Sequence, residues 1–119
     1  MKNTLVFGAS LKPNRYSNLV IQRLVEKGIP TQAFGLRNGT VNGVVIKTNL
    51  DEFQEIHTLT LYLNPTRQAA YYKGILKLKP SRVLFNPGTE NPVFYELLKK
   101  NGIEVEVACT LVLLGTGQF

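Results

Sequence analysis

Residues 8–17 read Gly8-Ala9-Ser10-Leu11-Lys12-Pro13-Asn14-Arg15-Tyr16-Ser17, a run that combines a glycine, two serine hydroxyls, a lysine and an arginine. Gly8 permits a tight turn at the end of a strand. Where a helix starts just beyond such a turn, its unpaired amides and its dipole favour an anion. Ser10 and Ser17 offer hydroxyl donors, Arg15 can fork onto phosphate oxygens, and Lys12 adds a mobile positive charge. The chemistry predicted for this stretch is capture of a phosphate-bearing ligand. The full G-x-G-x-x-G spacing of dinucleotide-binding turns is absent, so the stretch alone leaves the ligand open.

A second short segment narrows the choice. Dinucleotide-binding domains that take NAD place an acid at the tip of their second strand, where it binds the ribose hydroxyls. Here the corresponding tip reads Phe34-Gly35-Leu36-Arg37, without an acid. Arg37 suits a ribose that carries a phosphate, as in NADP or coenzyme A. Two further turns, Leu63-Asn64-Pro65 and Asn86-Pro87-Gly88, hold proline and glycine close to a strand end and expose backbone groups. They are suited to lining a channel for an extended, mildly polar ligand arm.

Groups for catalysis are scarce. His57 stands at a strand start, on the edge expected to lie opposite the ligand. Cys109 ends the last strand on the ligand edge and reads as a buried structural thiol. Glu90, at a helix start, reads as a partner of the helix dipole. No Ser-His-acid set and no interpretable carboxylate pair is present, which points to binding rather than catalysis. One cysteine excludes an intramolecular disulfide and a multi-cysteine zinc site, and one histidine leaves little for a metal cluster.

The elements that must position these residues follow from the apolar pattern. Strands are predicted at 3–7, 31–34, 44–47, 58–63, 82–85 and 104–108. A helix is predicted over Ser17–Lys27, with Ser17 as N-cap and Gly28 just past its end. Residues 35–43 read as a loop, and Asp51–Ile56 as about one and a half helical turns. Asn64-Pro65 and Asn91-Pro92 each open a helix, asparagine as the cap and proline at the first helical position. The first of these buries Ala69, Tyr72, Ile75 and Leu76; the second ends at Asn101-Gly102. Residues 110–119 read as a short helix or packed coil.

Strands alternating with helices imply a single α/β domain over residues 1–119: a Rossmann-like three-layer α/β/α fold around a mostly parallel sheet of five to six strands. Right-handed crossovers then gather the loops 8–17, 34–38, 63–66 and 86–91 on one sheet edge.

The 119-residue chain is 44% hydrophobic and 18% charged, enough apolar content for a packed core. Its formal net charge of +6 favours an anionic, phosphorylated partner. The basic residues are scattered; Lys73, Lys77, Lys79 and Arg82 read as a solvated helix face and its exit. No basic block is interleaved with aromatics, so nucleic acid is not expected as a partner. The N-terminus lacks a long apolar region, and the apolar run Val107–Leu114 is too short to span a bilayer, so the expectation is a cytoplasmic protein without membrane attachment.

Gly8-Ala9-Ser10, Lys12-Pro13, Arg15 and Ser17, followed by Gly43-Val44-Val45-Ile46, Leu61-Tyr62, Asn86-Pro87-Gly88 and Cys109, cover essentially the whole chain with a familiar order. The sequence resembles the small stand-alone CoA-binding domain proteins, relatives of the N-terminal CoA-binding domain of the succinyl-CoA synthetase alpha subunit. The resemblance implies a Rossmann-like fold and non-covalent binding of coenzyme A or an acyl-CoA. It places the diphosphate on the loop from Gly8 to Ser17 and the adenosine end at Phe34–Arg37, with Arg37 near the 3′-phosphate. It sets the loops Leu63–Pro65 and Asn86–Gly88 beside the adenine or the pantetheine arm. In relatives the second-strand tip often carries a Pro-containing turn such as Asn-Pro, where this chain has Phe34-Gly35. Phosphohistidine chemistry is not implied, because the catalytic histidine of the synthetases lies in another domain. The alternatives to a non-catalytic binder are a small NADP-dependent oxidoreductase and an interaction module that has kept the fold without the ligand.

Overall fold

Three strands carry apolar or β-branched residues at nearly every position and are buried along their whole length: Thr4–Phe7 (β1), Thr58–Leu61 (β5) and Arg82–Phe85 (β6). Burial on both faces is what a central parallel strand requires when helices cover both sides. The computed structural model describes residues 2–119. Around the central strands lie Thr31–Phe34 (β2), Gly39–Val41 (β3), Val44–Lys47 (β4) and Glu104–Val107 (β7). The sheet order is β3-β4-β2-β1-β5-β6-β7, and every pairing is parallel except β3 with β4.

The helices are Tyr16–Glu26 (α1), Pro65–Gln68 (α2), Tyr72–Leu78 (α3), Pro92–Lys100 (α4) and Thr110–Gly115 (α5). Alternation along the strands splits the core into two layers. Leu5, Phe7, Leu59, Leu61, Val83 and Phe85 point to the face covered by Ile75 of α3 and by Phe94 and Leu98 of α4. Val6, Ala33 and Ile46 point to the other face, under Val20, Ile21 and Leu24 of α1 and Leu114 of α5. The three-layer Rossmann-like architecture is therefore present. The chain leaves β1 in one direction to β2 and β4, then returns to β5 on β1's other flank. The order reverses between β1 and β5, the switch point at which open α/β sheets bind ligands.

Several local expectations change. The sheet has seven strands, because residues 39–41, read as loop, pair antiparallel with β4. Asn42 and Gly43, with φ of 48° and 84°, make the tight turn between them. Asn-Gly between valines is the usual composition of such a hairpin turn. The N-cap of α1 is Arg15, and Ser17 is buried inside the first turn. The helix expected from Pro65 is interrupted by a 3-10 turn at Ala69–Tyr71, so Ile75 is buried, Tyr72 and Leu76 are half-buried and Ala69 is exposed. The segment 51–56 holds a single 3-10 turn, Leu50–Glu52.

Arg82 is also corrected. It begins β6, as the strand pattern predicts, but its side chain lies on no solvated face and is only 8% exposed. Its guanidinium bonds Thr58 Oγ1 at 2.9 Å, Glu106 Oε2 at 3.2 Å and the main-chain oxygen of Phe119 at 3.0 Å, and it lies 4.8 Å from the Phe119 ring centre. Lys2 donates to the same Phe119 oxygen. The segment after α5 thus closes on the base of the sheet, where the parallel strands begin. Among the described residues no helix is long and apolar enough to cross a membrane.

Candidate functional site

The exits of the parallel strands form the opposite edge, here called the rim. At its centre β1 ends in Gly8 with a φ of +96°, in the region that favours glycine. The amides of Gly8 and Ala9 both donate to the Phe34 carbonyl, at 2.9 and 2.8 Å, so the first exit is tied to the β2 tip. A Cβ on Gly8 would stand 3.1 Å from the backbone of Tyr62, and one on Gly35 would stand 2.5 Å from the Ala9 carbonyl oxygen. The exits of β1, β2 and β5 therefore interlock through backbone contacts that two glycines permit.

Beyond Gly8 the loop is held from below and open above. Asn18 Nδ2 donates to the Ser10 carbonyl at 2.9 Å, pinning the loop to α1. Ser10 Oγ accepts from the Lys12 amide at 3.1 Å, which leaves its own hydrogen available to a ligand. The Arg15 amide donates to the Lys12 carbonyl at 3.1 Å. Lys12, Pro13, Arg15 and Tyr16 are exposed, and Gly8, Ala9 and Ser10 are half-buried. Among the described residues no carboxylate forms an ion pair with Lys12, Arg15 or Arg37. These side chains meet the solvent-facing side of the rim with their charge unneutralised.

At the β2 tip the structure divides the expected residues. Phe34 is only 5% exposed, and its ring stacks on Phe7 at 4.6 Å, so the ring belongs to the core. Gly35 is buried. Leu36, at 68% exposure, and Arg37 stand free. The side-chain groups this tip can offer a ligand come from Leu36 and Arg37.

The third and fourth turns rest on a hydrogen-bond network that sequence reading missed. Asn86 is 3% exposed. Its Nδ2 donates to Thr60 Oγ1 at 2.8 Å and to the Leu61 carbonyl at 2.9 Å, while its Oδ1 accepts from the Thr110 amide at 2.8 Å. Gln68 Nε2 bridges the carbonyls of Leu63 and Thr89, both at 2.8 Å. Asn91 Nδ2 donates to Gln68 Oε1 at 2.9 Å and to the Tyr72 hydroxyl at 2.8 Å. The side chain of Asn86 is therefore engaged inside the protein, as is that of Asn64, which caps α2 by accepting from the Arg67 amide at 3.0 Å. Leu63 is half-buried, and Pro65, Pro87 and Gly88 are exposed. The recurrence of Asn-Pro at 64–65, 86–87 and 91–92 was the available signal for the asparagines; nothing local marked Thr60, Gln68 or Thr110 as their partners.

Four residues around the rim have definite surroundings. Glu90 accepts from the Gly88 amide at 2.8 Å, folding its carboxylate back onto the turn. Cys109, expected to be buried, is half-buried just before α5. Burial pushes the Tyr62 phenol up to about 12, although the hydroxyls of Thr60 and Thr110 pull it the other way, so it is a neutral group at physiological pH. His57 lies at the base, as expected, immediately before β5; burial first, then the charges of Arg82 and Lys2, lower its pKa. Among the described residues no cluster of His, Cys, Asp and Glu could hold a metal ion.

The family model for a CoA binding domain matches residues 2–115. The chain belongs to the CoA-binding domain family. Solved structures share its fold along most or all of the chain. A crystal structure of an uncharacterized protein is 44% identical, with a TM-score of 0.96, covering 100% of this chain and 98% of the other. A hypothetical protein from Pyrococcus horikoshii OT3 is 25% identical, with a TM-score of 0.83, covering 93% of this chain and 80% of its own. A Thermus thermophilus protein at 24% identity and a TM-score of 0.86, covering 99% and 91%, shares the fold. Among curated proteins none matches. In this CoA-binding domain the rim described above is the strand-exit edge, where open α/β sheets as a class bind ligands.

Proposed function

We propose that this CoA-binding domain holds coenzyme A or an acyl-CoA at the rim without itself catalysing a reaction. The supporting observation is the junction of β1, β2 and β5, where Gly8 and Gly35 let three strand exits meet while Lys12, Arg15 and Arg37 face solvent unpaired. In this reading the loop from Gly8 to Ser17 takes the diphosphate, with Arg15 forking onto its oxygens. The Leu36–Arg37 corner receives the adenosine end and its 3′-phosphate. The backbone of the Leu63–Pro65 and Pro87–Gly88 turns flanks the adenine or the pantetheine arm.

Substituting Arg15→Ala or Arg37→Ala is expected to weaken CoA binding in each case, since each removes a charge-assisted contact worth about 1.5–3 kcal/mol. Calorimetric dissociation constants unchanged in both variants would place the ligand elsewhere. A thermal-shift panel of CoA, acetyl-CoA, NADP, NAD and ATP separates the classes. CoA and acetyl-CoA are expected to raise the midpoint most. A larger shift with NADP replaces this reading with a small reductase, and no shift with any of the five replaces it with an interaction module.

A further inference from the structure

The exit of β4 has no part in the reading above. β4 runs parallel to β2, with Lys47 opposite Phe34, so β4 also ends at the rim and its last residue is Lys47. The Gly35 amide donates to the Lys47 carbonyl at 3.1 Å, fixing this exit against the β2 tip. The Lys47 ammonium lies 5.6 Å from the centre of the Phe53 ring, which itself meets the Phe34 ring edge-on at 6.4 Å. Lys47 is half-buried, and among the described residues no carboxylate pairs with it.

A half-buried lysine packs its aliphatic stem against the protein and presents its ammonium to solvent. Here the Phe53 ring face holds that ammonium in place. Arg37 differs: it is exposed on the loop, and ordering it against a ligand loses side-chain entropy. Of the two cations beside the β2 tip, Lys47 is the one already positioned. Resting on the proposed binding of CoA, we infer that Lys47 determines specificity at the adenosine end, by distinguishing a ribose that bears a 3′-phosphate from one that lacks it.

Calorimetric titration of the wild type, Lys47→Met and Arg37→Ala with CoA and with dephospho-CoA tests this. The wild type is expected to prefer CoA by about tenfold or more. Lys47→Met, which keeps the aliphatic stem, should abolish most of that preference by weakening CoA while leaving dephospho-CoA within about twofold. Arg37→Ala should weaken CoA and dephospho-CoA together, through the adenosine end that both carry, and so narrow the preference less than Lys47→Met does. Lys47→Gln serves as a second neutral variant should the first fold poorly. The inference is overturned if the neutral variants keep the wild-type preference, if they lose both ligands equally, or if the wild type binds the two ligands alike, a result that leaves CoA binding itself intact. A wild type that binds neither ligand overturns the CoA reading as well.

Discussion

Asn86→Ala is expected to lower the unfolding free energy by roughly 3 kcal/mol or more, a large share of the 5–15 kcal/mol typical of a domain. The side chain makes three hydrogen bonds in a site closed to solvent. Alanine leaves the Thr110 amide and the Leu61 carbonyl without those partners, and each such buried group costs about 1–3 kcal/mol. The effect extends past the local contacts, because Thr60 and Thr110 also bond one another through their hydroxyls at 2.8 Å. Asn86→Asp should be at least as damaging. It can still accept from the Thr110 amide, but it sets a carboxylate against the Leu61 carbonyl in place of a donor. Urea denaturation at unchanged m-value gives the measurement, and a loss below about 1 kcal/mol would contradict the role assigned to this residue.

Gly35→Ala is expected to reduce CoA affinity by well over tenfold, the largest effect of a single methyl group on binding. The added carbon would lie 2.5 Å from the Ala9 carbonyl oxygen and 3.0 Å from Ile46 Cγ2. The nearer atom is backbone and cannot swing aside, so the β1 exit must move away from the β2 tip. That movement strains the paired bonds from Gly8 and Ala9 to Phe34 and displaces the start of the loop proposed to take the phosphates. Overpacking of this kind costs typically about 1–3 kcal/mol of stability. Calorimetry with CoA beside a denaturation curve separates the two effects. A variant that is destabilised yet binds CoA normally would show that the rim spacing does not shape the site.

Much of this was legible along the chain. Strands such as Thr58–Leu61 and Arg82–Phe85 announce themselves through apolar and β-branched runs, and Asn64-Pro65 and Asn91-Pro92 mark helix starts because cap and ring act locally. The exposed cations of the first loop were legible for the same reason. What escaped was set by distant partners. Asn86 reads as a turn residue until Thr60 and Thr110 are brought beside it from 26 and 24 positions away. Phe34 reads as a tip residue until Phe7 and Tyr71 enclose its ring. Arg82 looks like one more surface cation until Glu106, Thr58 and Phe119 converge on it. Only the hairpin at Asn42-Gly43 was a local signal passed over, hidden by a segment rich in glycine and asparagine on both sides of Val41.

The segment that follows the last strand joins the two ends of the sheet. It is fastened at the rim by the Thr110 amide on Asn86 and at the base by Phe119 on Arg82 and Lys2, with the amides of Gln118 and Phe119 turned back onto the Leu113 carbonyl between. A strap pinned at both ends is expected to carry slack from one anchor to the other, so that loosening the upper one frees the lower. Deuterium uptake at the amides of Gln118 and Phe119 should therefore quicken in Asn86→Ala, giving the far end of the molecule a readable report on the state of the rim.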